Sequence, residues 1–191
     1  MAIDFSGYVN SDLIPKGTIA LVQMNVISGD GTDGVLTRTK NGDGELLKNE
    51  FTVLEGEYAK RKVFDNWIVV GTKDGQKLMA DRYRGLCKSI LASAKYVYPN
   101  DPSPEARAKL TAEWRDFDGL RFLAEIGIEK GKDGFEDKNV ITRAITRDMP
   151  QWRNRPPIEQ IATGGKGAST GGGGASPASS APPNLKPPWA D

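Results

Sequence analysis

Cations and aromatic rings occur together in segments that are also rich in turn-forming residues. The segments span residues 29–44, 56–62 and 130–138, and the last two each contain an aromatic residue. Cations can pair with phosphates, and an exposed ring can stack on a nucleobase for ~1–3 kcal/mol per base. An unpaired nucleic-acid strand needs this combination. The candidate binding residues in and beside these segments are Arg38, Lys40, Lys48, Tyr58, Lys60, Arg61, Lys62, Lys132 and Phe135.

A second basic group lies further along the chain. Its members are Arg143, Arg147, Arg153 and Arg155, with Asp148 as the opposing acid and Trp152 among them. Because arginine and tryptophan occur together here, the group would extend a phosphate-binding surface. We therefore add Arg143, Arg147 and Trp152 to the candidate residues. The alternative is an exposed strand end that runs into a proline-rich segment.

Residues for covalent or acid–base catalysis are scarce. The sequence has no histidine, which removes the commonest general base and the usual zinc ligand, and Cys87 is its single cysteine. No Gly-Lys-Ser/Thr phosphate loop occurs, and the carboxylates follow no recognisable metal-nuclease pattern. The sequence therefore predicts no catalytic residue, no metal and no cofactor. Cys87 lies on the apolar stripe of a predicted helix, which predicts a buried thiol.

Charge is balanced over the whole chain. The 26 lysines and arginines are matched by 25 aspartates and glutamates, which gives a net charge of +1. This balance argues against indiscriminate attraction of polyanions, so a nucleic-acid partner must be met by a local patch. The same segments also contain acidic residues, which leaves ordinary solvated surface as the alternative reading of the cations.

Apolar periodicity predicts five strands and two helices. A period of two marks the strands, and spacings of three and four mark a helix of about six turns. The strands are predicted at 18–28, 45–55, 62–70, 120–130 and 138–147, the long helix from Leu78 to just before Pro99, and a short helix after an N-cap at Ser103. This order predicts a mainly β protein with α content, namely a five-stranded antiparallel OB-fold-like Greek-key barrel with its long helix between strands 3 and 4.

The aromatic residues divide into core and surface candidates. Phe64 and Trp67, both in the third predicted strand, are assigned to the core in preference to base stacking, and Trp114 is assigned to the core as well. Tyr58 lies in a turn and is the better stacking candidate.

Composition predicts a folded body at 1–162 and a flexible tail at 163–191. Of the 26 residues from 163 to 188, 20 are Gly, Ala, Ser or Pro, which is too little apolar surface to offset the entropy of ordering. Trp189 and Asp191 form a distinct tip, which predicts a partner-binding site. The first ten residues lack a signal-peptide pattern, and no apolar run approaches the ~20 residues that span a bilayer. We therefore expect a cytoplasmic protein with no membrane partner.

The chain resembles the single-stranded-DNA-binding proteins of bacteriophage replication and recombination modules. The similarity lies in residues 44–67, a strand, a Gly-x-Tyr turn with basic residues and a second strand, and in the segments 119–122 and 138–141. The resemblance implies an OB-type barrel that binds single-stranded DNA without strong sequence preference, in the cytoplasm of an infected bacterium. It also implies a C-terminal tail that docks replication or recombination proteins. The tip of this chain departs from the strongly acidic family pattern, because it carries Trp189 and the nearby Lys186.

Two other functions stay open at this point. The first is a protein-interaction or structural adaptor that binds no nucleic acid, which the near-neutral charge favours. The second is an enzyme acting on nucleic acid, which would need a metal site that the sequence does not reveal. The pattern is compatible with a homodimer, and it leaves open the DNA or RNA preference and the footprint length.

Overall fold

The computed structural model describes residues 13–31, 33–132 and 134–152. Its strands and helices are β1 (Thr18–Ile27), β2 (Thr37–Arg38), β3 (Gly44–Val53), β4 (Lys62–Gly71), α1 (Asp74–Ala94), α2 (Pro104–Lys109), β5 (Arg121–Glu129) and β6 (Lys138–Ala144). Two 3-10 turns lie at Trp114–Phe117 and Pro150–Trp152. Some of the predictions concern residues outside this described part of the chain. They are those for the tail, its tip residues Trp189 and Asp191, the domain boundary at 162, Arg153 and Arg155.

The strands form one antiparallel sheet. Its hydrogen-bonded order is β2-β3-β1-β5-β6, and β4 pairs with the opposite edge of β3. The prediction of a mainly β, antiparallel protein with one long helix between the third and fourth predicted strands is confirmed. β2 is an additional short strand in segment 29–44, which the sequence predicts as a loop. Within the described part of the chain no ladder joins β4 to β6, so the sheet is open where the predicted barrel would close.

Helix α1 begins earlier and ends earlier than its apolar stripe predicts. The Gln76 side chain accepts hydrogen bonds from the backbone N–H groups of Thr72 and Lys73, both at 3.3 Å. These bonds satisfy donors that a helix start otherwise leaves unpaired, so the helix can begin at Asp74. At the other end Tyr96 has a left-handed φ of 60°, and this residue stops the helix before Pro99 is reached.

The short helix has the predicted start. Pro104 is its first residue, and the Ser103 hydroxyl accepts a hydrogen bond from Ala106 N at 3.2 Å. Helix α2 ends at Lys109, and Trp114 and Phe117 lie in a separate 3-10 turn. Trp114 packs against the core from that turn but is only half-buried.

The main core lies between the sheet and α1. Phe51 is fully buried, with its ring centroid 5.5 Å from that of Trp67 and 6.1 Å from that of Phe122. The ring of Tyr83, on α1, stacks on the ring of Trp67 with a distance of 5.4 Å between their centroids. Cys87 is buried on the same helix, which confirms the predicted buried thiol. Desolvation raises the pKa of this thiol to about 12.

A smaller apolar cluster covers the opposite side of β1 and β5. It is formed by Leu21, Leu123, Ile145 and Trp152, and Tyr96 packs against it with its ring centroid 5.4 Å from that of Trp152. Trp152 is only 8% exposed. We refer to these four residues as the second cluster. None of the described helices combines the length and apolar character that crossing a membrane would require.

Candidate nucleic-acid interface

Three adjacent strands present one solvent-facing surface opposite the core. Because side chains alternate across a strand, every second residue of β1, β3 and β4 points to this side. The ladder register arranges them in three cross-strand rows. We call this surface the outer face, and its rows are Gln23–Thr52–Lys62, Asn25–Glu50–Phe64 and Ile27–Lys48–Asn66.

Phe64 lies in the middle row of the outer face and is 55% exposed. The core position predicted for it is wrong, whereas the core position predicted for Trp67 is confirmed by its complete burial. The two residues are three positions apart on one strand, so they must point to opposite sides of the sheet. This alternation is the signal in the sequence that could have identified Phe64 as a surface ring.

Cations and side-chain amides lie on the same side of the sheet as Phe64. Lys62 Nζ lies 2.9 Å from the Glu50 carboxylate, whereas Lys48 forms no salt bridge with any described residue. Gln23 donates a hydrogen bond to Asn25 at 3.0 Å and accepts one from Arg121 Nε at 3.0 Å, which places a third cation at the edge of this surface. The outer face therefore offers one ring, three nearby cations, several amides and a single acid.

The segment between β1 and β3 borders the outer face and carries two predicted cations. Arg38 and Lys40 are both exposed. The neighbouring acids are occupied by backbone groups: Asp30 accepts the Arg38 N–H at 3.1 Å, and Asp33 accepts the N–H groups of Val35 and Leu36 at 2.9 and 3.0 Å. The hydrogen bonds from Leu36 and Val35 lower the pKa of Asp33. These acids order the segment and form no side-chain ion pair with Arg38 or Lys40 among the described residues.

Asp43 ties the end of this segment to the start of α1. Its carboxylate lies 2.7 Å from Lys73 Nζ and accepts hydrogen bonds from Gln76 and Thr39 at 3.0 and 2.8 Å. These three partners, with Lys73 first, lower the pKa of Asp43 well below its usual range. The segment is thus held at both of its ends, which fixes where Arg38 and Lys40 emerge.

The turn between β3 and β4 adjoins the Gln23–Thr52–Lys62 row of the outer face. Lys60 is exposed and has a left-handed φ of 71°, and its N–H donates to Val53 O at 2.7 Å. Arg61 is half-buried, and so is Tyr58, whose ring packs against the main core. Tyr58 therefore offers less of its ring than Phe64, which is the reverse of the predicted ranking.

The hairpin between β5 and β6 projects a second exposed ring. Phe135 is 80% exposed and Lys132 is exposed beside it. Two ion pairs brace the base of the hairpin, from Lys130 to Asp137 at 2.5 Å and from Lys138 to Glu129 at 2.9 Å. Glu129 at the hairpin base and Asp65 in the middle of β4 line the same cavity. The hairpin base therefore lies near β4 on the core side of that strand.

The predicted extension through Arg143, Arg147 and Trp152 does not join this surface. Arg143 is bound to Glu125 at 2.6 Å, and the Arg147 guanidinium lies over the rings of Tyr96 and Tyr98 at 4.3 and 4.9 Å. Trp152 was assigned to the interface, but its burial in the second cluster leaves no ring face for a base.

The second cluster also separates Arg143 from Phe64. Across β1 and β5 the row Leu21–Leu123 lies between the row Gln23–Arg121 and the row Ile19–Glu125, to which Arg143 is paired. Trp152 packs with that middle row. A strand lying on the outer face would have to cross this apolar cluster to reach Arg143.

In residues 13–152, apart from 32 and 133, no three His, Cys, Asp or Glu residues are grouped so that they could hold a metal ion. No protein-family model matches the chain, and no curated protein matches it significantly. A functional conclusion therefore depends on the outer face itself.

Proposed function

We propose that the protein is a non-catalytic single-stranded-DNA-binding protein without strong sequence preference, and that the outer face is its contact surface. The observation that carries this proposal is the exposed ring of Phe64 in the middle row of the outer face, with Lys48 and Lys62 in the adjoining rows and Arg121 beyond the β1 side of that face. Aromatic faces stack on any base, and cations follow the phosphates, so the pairing favours binding that tolerates every sequence.

We further propose that the sheet is of the OB type. With β2 set aside, β3 and β4 follow β1 in order across the sheet, and β5 returns to lie beside β1, an arrangement that supports a Greek-key assignment. In an OB-fold the face of the second and third strands and the loops after the first and fourth strands bind oligonucleotides. The corresponding parts of this chain would be β3 with β4, segment 29–44 and the β5–β6 hairpin, which carry most of the candidate cations and the exposed rings of Phe64 and Phe135.

The test is a titration of fluorescent oligo-dT by anisotropy at several salt concentrations. Each phosphate neutralised in a single strand changes the slope of log K against log salt by about −0.7, so three to five contacts predict a slope of about −2 to −3.5. Binding that does not change with salt, or the absence of binding at low salt, would refute the proposal.

We also propose the wider role that the family resemblance implies. In it the protein acts in phage DNA replication or recombination inside an infected bacterium, and the tail at 163–191 recruits partner proteins through Trp189 and Asp191. Deletion of 163–191 should leave oligo-dT affinity unchanged or raised and should abolish capture of replication proteins from infected cells. A large loss of DNA affinity on deletion would contradict this division of labour.

A protein-interaction adaptor is the second candidate function. It is favoured by the near-neutral charge and by the ion pairs that occupy Lys62 and Arg143. In that case Phe64 and the 42% exposed Ile27 would be covered by a protein partner, and oligo-dT would not bind.

A further inference from the structure

A cavity separate from the outer face lies where the sheet is open. It is enclosed by α1 on one side and by β5 and β6 on the other, has a volume of about 280 Å³, and is reached by one side chain of β4, that of Asp65. Pockets for drug-sized molecules begin at roughly 300 Å³, so this cavity suits a small chemical group and not a nucleotide.

Asp65 is an unusual residue in this position. It is 5% exposed, and no lysine or arginine among the described residues forms a salt bridge with it. Burial is the main cause of the raised pKa of its carboxyl group, and the neighbouring Trp67 side chain, the charge of Lys138 and the Ile141 backbone only partly oppose it. A buried carboxyl group without a close counter-ion is destabilising, and such groups are often found at functional sites.

Two buried polar atoms near Asp65 lack a hydrogen-bond partner among the described residues. Asn49, which lies opposite Asp65 in the β3–β4 ladder, is fully buried and its Oδ1 has no hydrogen-bond partner. Trp67 Nε1, two positions further along β4, also has no partner that meets hydrogen-bond geometry. Neither side chain lines the cavity, so Asp65 is the group from this part of the two strands that an occupant would meet.

The cavity walls define the chemistry of an occupant. Met79 and Leu86 of α1 and Val140 of β6 supply apolar surface, whereas Arg82, Tyr83, Glu129 and Thr142 make much of the lining polar. A cavity that combines apolar walls with a buried carboxylate matches a cation on a short aliphatic stem, because the stem can pack on the apolar walls while the charge pairs with the acid.

We propose that this cavity binds an alkylammonium group, with Asp65 as the counter-ion and the walls from α1 and β6 around the stem. The group could be supplied by a free diamine or by a lysine side chain of a partner protein. The site is independent of the proposed DNA binding, since neither Phe64 nor the cations of the outer face line it.

Calorimetric titration of the full chain with cadaverine tests the proposal. We expect Asp65→Asn to weaken cadaverine binding at least tenfold, because the amide keeps the size but loses the charge. Asp81→Asn is the matched control, since Asp81 lies on α1 with its side chain 75% exposed, and it should bind as the unaltered protein does. Circular dichroism and oligo-dT affinity establish that Asp65→Asn remains folded.

Two further measurements sharpen the result. Arg82 lines the same cavity and repels a cation, so Arg82→Gln should bind cadaverine several-fold more tightly, and 1-pentanol, which has the stem without the charge, should not compete. Tighter binding of cadaverine than of Nα-acetyl-lysine methylamide identifies a free diamine as the source, and the reverse identifies a protein lysine.

Two results would overturn the proposal, whether or not oligo-dT binds. One is that cadaverine binds the unaltered protein and Asp65→Asn with equal affinity, and the other is that millimolar cadaverine gives no heat of binding.

Discussion

Replacing Phe64 by alanine should separate DNA binding from folding. The ring is 55% exposed and lies outside both apolar clusters, so its removal opens no cavity in the core. The loss of the cross-strand contact with Glu50 should lower the free energy of unfolding by less than about 1 kcal/mol. A lost stacking contact costs ~1–3 kcal/mol, which corresponds to a decrease in oligo-dT affinity of about 5- to 140-fold.

The assay is anisotropy of labelled oligo-dT at two salt concentrations, with thermal unfolding followed in parallel. Phe64→Ala should lower the affinity by a similar factor at both concentrations, because stacking does not release counterions. Leu78→Ala is the matched control, since Leu78 is a 72% exposed apolar residue on α1 and should not affect DNA binding.

Two more substitutions at the same position test the role of the ring. Phe64→Trp should retain the affinity, because it keeps an aromatic face, whereas Phe64→Leu should lose it. If Phe64→Ala binds oligo-dT as tightly as the unaltered protein, the outer face is not the contact surface. If Phe64→Leu is unimpaired, apolar contact and not stacking accounts for the binding.

Three further substitutions test the outer face, the cavity and the cation over the tyrosine rings. Lys48→Gln should weaken oligo-dT binding and reduce the salt slope by about 0.7, as measured by titration across salt, and an unchanged slope would exclude a phosphate contact. Asp65→Asn should raise the melting temperature at pH 7, because the amide can still accept from Ile141 and can donate to the unpaired Asn49 Oδ1, a bond worth about 0.5–1.5 kcal/mol. The raised pKa means that the free energy of unfolding of the unaltered protein falls as pH rises above the usual carboxyl value of 3.8, and Asp65→Asn should flatten this fall in melting curves taken from pH 3 to 8. Arg147→Ala should lower the melting temperature and leave oligo-dT affinity unchanged, and a loss of affinity at unchanged stability would return Arg147 to the binding surface.

Local periodicity was sufficient to predict the main strands and the long helix. Each of those strands is at least seven residues long, and burial alternates clearly along β3 and β4 and in part along the others, so the pattern outweighs local exceptions. β2 has only two residues, which is too short for any period to be visible. Helix ends were displaced because side-chain bonds such as those of Gln76, and not apolar spacing, decide where a helix can start.

The candidate site was harder to predict because its composition depends on partners distant in sequence. Arg147 contacts Tyr96, 51 residues away, and Arg143 pairs with Glu125 across a hairpin. A run of charges along the chain does not reveal such partners, so the sequence predicts that both arginines are free to bind phosphates. Trp152 was misassigned for the same reason, since the residues that bury it, Leu21 and Leu123, come from strands far earlier in the chain.

The second cluster also fixes the position of the last described residues. Because Trp152 is packed against the row Leu21–Leu123, it lies one row away from Gln23 and Arg121 at the border of the outer face. The exposed Gln151 beside it is therefore a reporter position for the proposed contact surface. If oligo-dT binds the outer face as proposed, a donor dye attached at Gln151 should transfer energy efficiently to an acceptor on the bound strand, whereas one near Leu78 should transfer less.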